Sequence, residues 1–438
     1  MHSLTDPQLE KIFKKDKAYL EETKIPIVTV SASYKEDLKG LHGLAQNEFI
    51  PDVVFSRAHF SMATGVAVQA WGKKNDPQKA WIVDPTNYVS HQEWKSIELT
   101  QFIGKTLARQ PFLKSLKDFV DKFARNNLPI LKSITPPLMY LTRSVTVPIL
   151  SLHIAAGNIL AERGKKVVQI VTDPHVREDY LNQAQKENIT FCVFDQKTKT
   201  DFLEKAAILD KKVDPQRVIV TGPPVDPRVI SSRKDKYPYR SGVLNLCLTT
   251  GGLGTNKSEM RKILRQLLPE LRKHKPQLRI LIYAATHQDI YLMVKKVAKE
   301  EKIKIGNIES KTAGLRIIYH PQIFNANESL IKYAFPWADG FITKPSGDMA
   351  YDAVASGSFL LTLREWGVWE HNIEEVFEQQ GIAREAHPDH FATQLAELMS
   401  AKGKAQSWVE QAMENAQNID PLFINGAKNI IKVVENLN

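Results

Sequence analysis

Cysteine is nearly missing from this chain: there are two in 438 residues, Cys192 and Cys247, far apart and each inside an apolar run. No metal-ligand spacing surrounds either one, so zinc modules and disulfide scaffolds are excluded, and both thiols are expected to be buried and reduced, as in a cytosolic protein. Long uninterrupted apolar runs are missing too. The most apolar region, residues 136–161, is interrupted by Arg143 and His153 and broken by prolines, so no membrane-spanning helix is expected. The residues after Met1 are charged rather than apolar, and no secretory signal is visible. Zinc-finger spacing, an aromatic RNA-binding signature and a basic heptad array are all lacking, which makes nucleic acid an unlikely partner. The first strand candidate, residues 25–31, is followed by Ala32-Ser33-Tyr34-Lys35-Glu36-Asp37, with no glycine before Gly40. A dinucleotide redox cofactor needs glycines there for close backbone approach, so no cofactor is expected.

What the chain does contain is a globular balance of 43% hydrophobic and 25% charged residues, at a length that favours two domains. A net charge of +10 implies an acidic partner, and a phosphorylated substrate or anionic lipid headgroups both fit. Strand and helix patterns alternate, the signature of parallel sheets. Strands are predicted at 52–56 and 80–84, flanking a helix at 60–71. More follow at 147–152, 167–172, 190–194 and 217–220, with helices at 154–163 and near 200–209. Thr221-Gly222-Pro223-Pro224-Val225-Asp226-Pro227 then fixes an extended linker. A second series begins at 243–250 and continues at 278–284, 315–319, 340–343 and 359–363. The expected fold class is therefore α/β with two Rossmann-like domains, residues 1–226 and 227–404, facing each other across a cleft. A helical segment, 405–438, is expected to pack back toward the first domain. A basic amphipathic insertion around 95–135 carries Lys105, Arg109, Lys114 and Lys117 beside Phe102, Leu107, Phe112 and Leu116. Packing of its apolar stripe on the domain is the favoured reading, and docking on an anionic membrane surface the second.

Two turns in the second series read as binding loops. Residues 339–343 form a short strand that stops at Lys344-Pro345-Ser346-Gly347, and a helix predicted over 348–356 ends at Gly357. Such a turn presents helix N–H groups to a phosphate, and Asp352, about one turn in, suits a ribose hydroxyl. The bland alternative is an ordinary turn with a solvated aspartate. Upstream, Gly251-Gly252-Leu253-Gly254 joins a strand to an amphipathic helix, which suits either close approach to a ligand or simple packing. At strand ends of the first series lie His153, Asp173, His175 and His59, each a candidate base.

Taken together, these pieces resemble the GT-B glycosyltransferases, and within them the group of monogalactosyldiacylglycerol synthases and the bacterial N-acetylglucosamine transferase that forms lipid II. The resemblance runs from about residue 147 to 383. It is carried by Ser151-Leu152-His153, Val171-Thr172-Asp173, Thr221-Gly222-Pro223-Pro224-Val225, Gly251-Gly252-Leu253-Gly254, the stretch from Lys344 to Gly357, and Glu370 with Asn372. It implies an inverting, metal-independent transfer of a hexose or N-acetylhexosamine from a nucleotide diphosphate-sugar, UDP-linked, to a lipid or cell-envelope acceptor. Gly251, Gly252, Gly254, Lys344, Ser346, Gly347, Asp352, Glu370 and Asn372 would bind the donor, and His153 and Asp173 would serve catalysis. The protein would be cytoplasmic and peripheral on the inner membrane face. Two departures stand out: no Gly-Gly-x-x-His loop follows the first strand, and Asp352 replaces the usual glutamate. A UDP-sugar epimerase of the same architecture and a non-catalytic nucleotide or lipid binder are the alternatives.

Overall fold

Runs of β-branched and apolar residues that are buried on both faces, separated by amphipathic helices, dictate parallel sheets covered on each side. The computed structural model describes residues 7–33, 52–54, 56–89, 129–236, 242–251, 254–365, 367–401 and 405–438. Most of the basic insertion around 95–135 therefore lies outside the described residues, as do Gly252 and the stretch from Tyr34 to Asp37. The chain divides into two compact units, one reaching to Asp226 and taking in Ile424–Asn438, the other spanning Pro227–Phe423.

The first unit contains α1 (Pro7–Glu22), β1 (Ile25–Val28), β2 (Ala32–Ser33), β3 (Val53–Val54), α2 (Arg57–Trp71), β4 (Ala80–Val83), α3 (Pro129–Leu141), β5 (Ile149–Ser151), α4 (Ile154–Glu162), β6 (Val167–Ile170), β7 (Ile189–Val193), α5 (Gln196–Ile208) and β8 (Val218–Val220). Its six-stranded sheet has the order β4-β1-β5-β6-β7-β8, every pairing parallel. The strand expected at 52–56 does not join it. Only Val53–Val54 is extended, and it pairs antiparallel with Ala32–Ser33. The buried Asp84 carboxylate, more than fifty residues along the chain, accepts from the Ser31 and Ala32 N–H groups at 2.8 and 3.1 Å, turning the chain out of the sheet beyond β1. Of the prolines in the 136–161 region, Pro136 and Pro137 lie inside α3, while Pro148 stands in the break between α3 and β5.

The second unit holds α6 (Pro227–Ser231), β9 (Leu244–Thr249), α7 (Lys257–Leu267), β10 (Leu278–Ala285), α8 (Gln288–Glu300), β11 (Leu315–Tyr319), α9 (Ile323–Tyr333), β12 (Gly340–Thr343), α10 (Met349–Ala355), β13 (Phe359–Thr362), α11 (Val368–Gln379), β14 (Ala383–Glu385), α12 (Phe391–Met399) and α13 (Trp408–Gln417); α14 (Leu422–Asn436) begins in it and passes into the first unit at Ile424. The sheet order is β11-β10-β9-β12-β13-β14, again all parallel. β14 escapes sequence reading because it is three residues long and only Ala383 is buried. Both units are thus Rossmann-like, and the chain has an α/β fold of the GT-B type. Among the described residues no helix is long and apolar enough to cross a membrane. Cys192 and Cys247 are buried free thiols, and burial pushes Cys192 up to about 12.

Several polar side chains pin the second unit. Arg233 donates to Ala355 O at 2.9 Å and to Gln417 O at 2.6 Å, so one guanidinium satisfies carbonyls at the ends of both α10 and α13. Lys236, 9% exposed, donates to Ser356 Oγ at 2.9 Å and Ser358 Oγ at 2.5 Å. Burial holds its pKa down to about 7, against the pull of Asp339 and Cys247 and with a further push from Arg233. Burial likewise raises Asp339 to about 6, although the Asn245 N–H donates to it and Lys236 is near.

Two outcomes are expected. A Cβ on Gly340 would meet the Phe359 ring at 2.1 Å, so Gly340→Ala should lower unfolding free energy by about 1–3 kcal/mol in urea titration; an unchanged midpoint would show that the ring can move aside. Lys236 has a folded pKa of about 7, below its ordinary 10.5, so its contribution to stability is smallest below pH 7 and grows toward pH 10. The stability difference between Lys236→Met and the parent should therefore change by up to about 1.4 kcal/mol per pH unit over that window; a pH-independent difference would exclude the depressed pKa.

Candidate functional site

Because all strands of the second unit run the same way, their carboxyl ends deliver one row of loops to one edge. The β9 loop turns back on itself: Gly254 N–H donates to Gly251 O at 2.9 Å, and Gly254 has φ of +63°, a left-handed conformation that favours glycine. The hydroxyls of Thr249 and Thr343 meet at 2.6 Å, joining the ends of β9 and β12. His287, at the end of β10 and 5% exposed, has Nε2 3.3 Å from Gly251 O. Lys344 leaves β12 with its stem beside the same turn, since a Cβ on Gly251 would lie 3.9 Å from Lys344 Cδ. Its ammonium reaches Glu370 Oε2 in the first turn of α11 at 2.8 Å, with the two side chains 6% and 9% exposed.

The Ser346 hydroxyl donates to Asp348 Oδ1 at 2.9 Å, which shapes the turn into α10. That helix is seven residues long, shorter than the span 348–356 expected from sequence, so its macrodipole is small and Lys344 is the principal positive charge at this turn. Gly347 is buried in the turn. Asp352 sits one turn into α10 and is 5% exposed, so it is not a solvated aspartate. Asn372 lies half-buried on α11, two residues beyond Glu370. The structure therefore brings Gly251, Lys344 and Glu370 together directly, with Ser346, Gly347 and Asp352 on the turn and helix that follow Lys344. Sequence reading did not find His287 or the Thr249–Thr343 pair; the available signal was a polar residue at the end of an apolar strand.

The first unit has its own strand-end cluster. His153 precedes α4 and its turn is tied by the Ser151 hydroxyl, which donates to His153 O at 2.9 Å. Its Nδ1 is buried without a hydrogen-bond partner among the described residues. Burial, then the neighbouring His59 and Arg177, holds its pKa well below the ordinary value, so the ring is neutral at neutral pH. The His59 ring packs edge-on against it, centroids 5.4 Å apart. His59 stands in the first turn of α2, whose N-cap Ser56 accepts from the His59 N–H. Its Nδ1 is 3.4 Å from Val30 O and its Nε2 3.4 Å from Thr172 Oγ1. A carbonyl can only accept, so Nδ1 carries the proton and Nε2 keeps its lone pair. Asp173 follows Thr172 and faces Arg177: burial pulls the Arg177 pKa down, but Tyr180, Asp173 and Asp179 more than offset this. That arrangement makes Asp173 a counter-ion to Arg177, while the two histidines offer the basic nitrogens.

Glu365, His371 and Glu374 have ligand atoms within 4.8 Å of one another. His371 Nδ1 lies 2.9 Å from Glu365 Oε2, and Glu374 accepts from the Thr362 hydroxyl. Burial and then repulsion from Glu378, Glu365 and Glu385 raise the Glu374 pKa despite that hydrogen bond. As placed, His371 and Glu365 satisfy each other while Glu374 is held by Thr362.

No protein-family model matches the chain, and no curated sequence matches it. Solved structures do. Os79 from O. sativa in complex with UDP is 10% identical with a TM-score of 0.53, over 94% of this chain and 100% of that one. The UDP-GlcNAc 2-epimerase from Neisseria meningitidis bound to UDP-GlcNAc is 12% identical with a TM-score of 0.51, over 94% of this chain and 99% of that one. At such identities the likeness is one of fold, and it spans the chain at the level of the two-domain GT-B architecture.

Proposed function

We propose that the chain is a glycosyltransferase that moves a hexose or N-acetylhexosamine from a UDP-linked sugar to a lipid or cell-envelope acceptor, with inversion and without a metal. The observation that carries this reading is the convergence, at one sheet edge of the second unit, of the Gly251 turn with the buried Lys344–Glu370 pair, followed by the buried Asp352 on α10. Three loops from separate strands supply a tight turn, a cation and a buried carboxylate. Those are the groups that a diphosphate and a ribose require. Gly251, Gly252, Gly254, Lys344, Ser346, Gly347, Asp352 and Asn372 form the donor set in this reading, with Glu370 joined to it through Lys344. The fold shared with UDP-sugar-bound structures fits it.

Inverting transfer needs a base at the acceptor hydroxyl and stabilisation of the departing diphosphate. Lys344 meets the second need. The base belongs to the His153–His59 pair: His153 is held neutral and His59 presents a lone pair at Nε2, while Asp173 balances Arg177 beside them. Peripheral association of a cytoplasmic enzyme with an anionic inner membrane face, through the basic segment around 95–135, completes the proposal. An epimerase is the second reading, favoured by the equal likeness of fold to a UDP-GlcNAc 2-epimerase.

Two measurements check these assignments. Asp352→Ala should weaken UDP binding in calorimetry by about 1–3 kcal/mol if a buried charged hydrogen bond is lost; unchanged affinity removes Asp352 from the site. His153→Ala should slow transfer by about 10²–10⁴-fold with UDP affinity intact. Since the His153 pKa is depressed, the parent should keep its activity well below pH 6.5, because the base stays unprotonated there. An acidic limb at pH 6.5 or above would rule out His153 as the base, and formation of the epimeric UDP-sugar with no acceptor present would favour the epimerase.

A further inference from the structure

The Lys344–Glu370 pair has a property that its membership of a donor site does not explain. Surface pairs here are like Lys262–Asp389, whose side chains are 52% and 67% exposed, and such pairs contribute little. Lys344 and Glu370 are 6% and 9% exposed and 2.8 Å apart. Burying two ions costs desolvation that their attraction only roughly returns, so the pair adds little net stability, yet either ion left alone there is costly, and Lys344 can release Glu370 only to another anion. The two also come from different loops, Lys344 directly after β12 and Glu370 from the start of α11, so either can shift without unwinding the other's support. Glu370 stands in the first turn of α11, where the N-terminal end of the helix stabilises a carboxylate even without a cation beside it. Lys344 has its stem along the Gly251 turn, where any anion held between the two loops must reach it.

From this we infer that Lys344 and Glu370 form an exchangeable ion pair: a nucleoside diphosphate takes the Lys344 ammonium from Glu370, and Glu370 sets how tightly diphosphates are held. The inference rests on the donor reading above. A phosphate oxygen makes the same kind of charge-assisted hydrogen bond to the ammonium as the carboxylate does, but brings more negative charge. Glu370 beside it is then a like charge that opposes binding. Its cost falls on the terminal phosphate, so diphosphates feel it and monophosphates do not. In turnover, return of Glu370 to Lys344 would favour release of the product diphosphate.

The test uses the full chain and calorimetry with UDP and UMP. Glu370→Gln keeps an acceptor oxygen for Lys344 but removes the competing charge. It should bind UDP about five- to tenfold more tightly and UMP within about twofold of the parent, in the range of ordinary coupling effects. Lys344→Met should weaken UDP at least about tenfold, and in that background Glu370→Gln should add less than about twofold, because coupled groups are non-additive. If Lys344→Met does not fold, the double variant Lys344→Met/Glu370→Gln, which leaves no lone buried charge, carries that arm, with UDP affinity expected to be as weak. Unchanged or weaker UDP binding by Glu370→Gln overturns the exchange and makes Glu370 a direct donor contact. Failure of the parent and every variant to bind UDP overturns the donor reading itself, and the exchange with it.

Discussion

Parallel pairing is the constraint on which the rest depends. When every hydrogen-bonded neighbour in a sheet runs in the same direction, all carboxyl ends fall on one edge, and whatever the loops there carry is gathered without any contact in sequence. In the second unit this gathers residues from the ends of β9, β10, β12 and β13, and in the first unit His153 and Thr172, against which His59 packs from α2. The strands are mostly apolar and buried on both faces, so most of the polar chemistry gathers at their ends. The site is a consequence of the topology before it is a consequence of any motif.

The two clusters differ in how they manage charge. In the second unit the ions are opposite in sign and in contact, and the pair is sealed from water. In the first, a cation at Arg177 is balanced by Asp173 and Asp179 while the His153 imidazole beside it is kept from charging. A neutral imidazole next to a compensated arginine can accept a proton without first losing one. An ammonium with a carboxylate at 2.8 Å is ready for an anion only by giving up its partner. In the proposed transfer, proton handling and phosphate handling would fall to separate sheets.

Much of the fold was legible from residues alone. The restart after the proline-rich stretch at Pro223 and Pro224, and the strands at Leu315–Tyr319 and Gly340–Thr343, follow from apolar runs bounded by turn residues. The strand expected at 52–56 failed for a reason that no window could contain: Asp84, far along the chain, takes the N–H groups that would have continued β1. At the candidate site, Lys344 and the Gly251 turn were readable because glycine and proline mark turns. The Lys344–Glu370 contact was not, since it joins the ends of two strands whose register only the folded sheet fixes. His59 was visible as a histidine in a turn, but its placement against His153 depends on β1 and β5 being neighbours.

The guanidinium of Arg233 bears on the order in which the molecule is made. It closes the carbonyl ends of α10 and α13 together, and α13 begins only at Trp408. On the ribosome, Arg233 can reach Ala355 O as soon as α10 is made, but the other half of its fork finds no carbonyl until the chain has grown past residue 417. The first unit waits longer still, because Ile424–Asn438 belongs to it and Asn429 donates to Thr221 O across 208 residues. The unit begun first is therefore completed last, and its sheet stays incomplete while the whole of the second unit is synthesised.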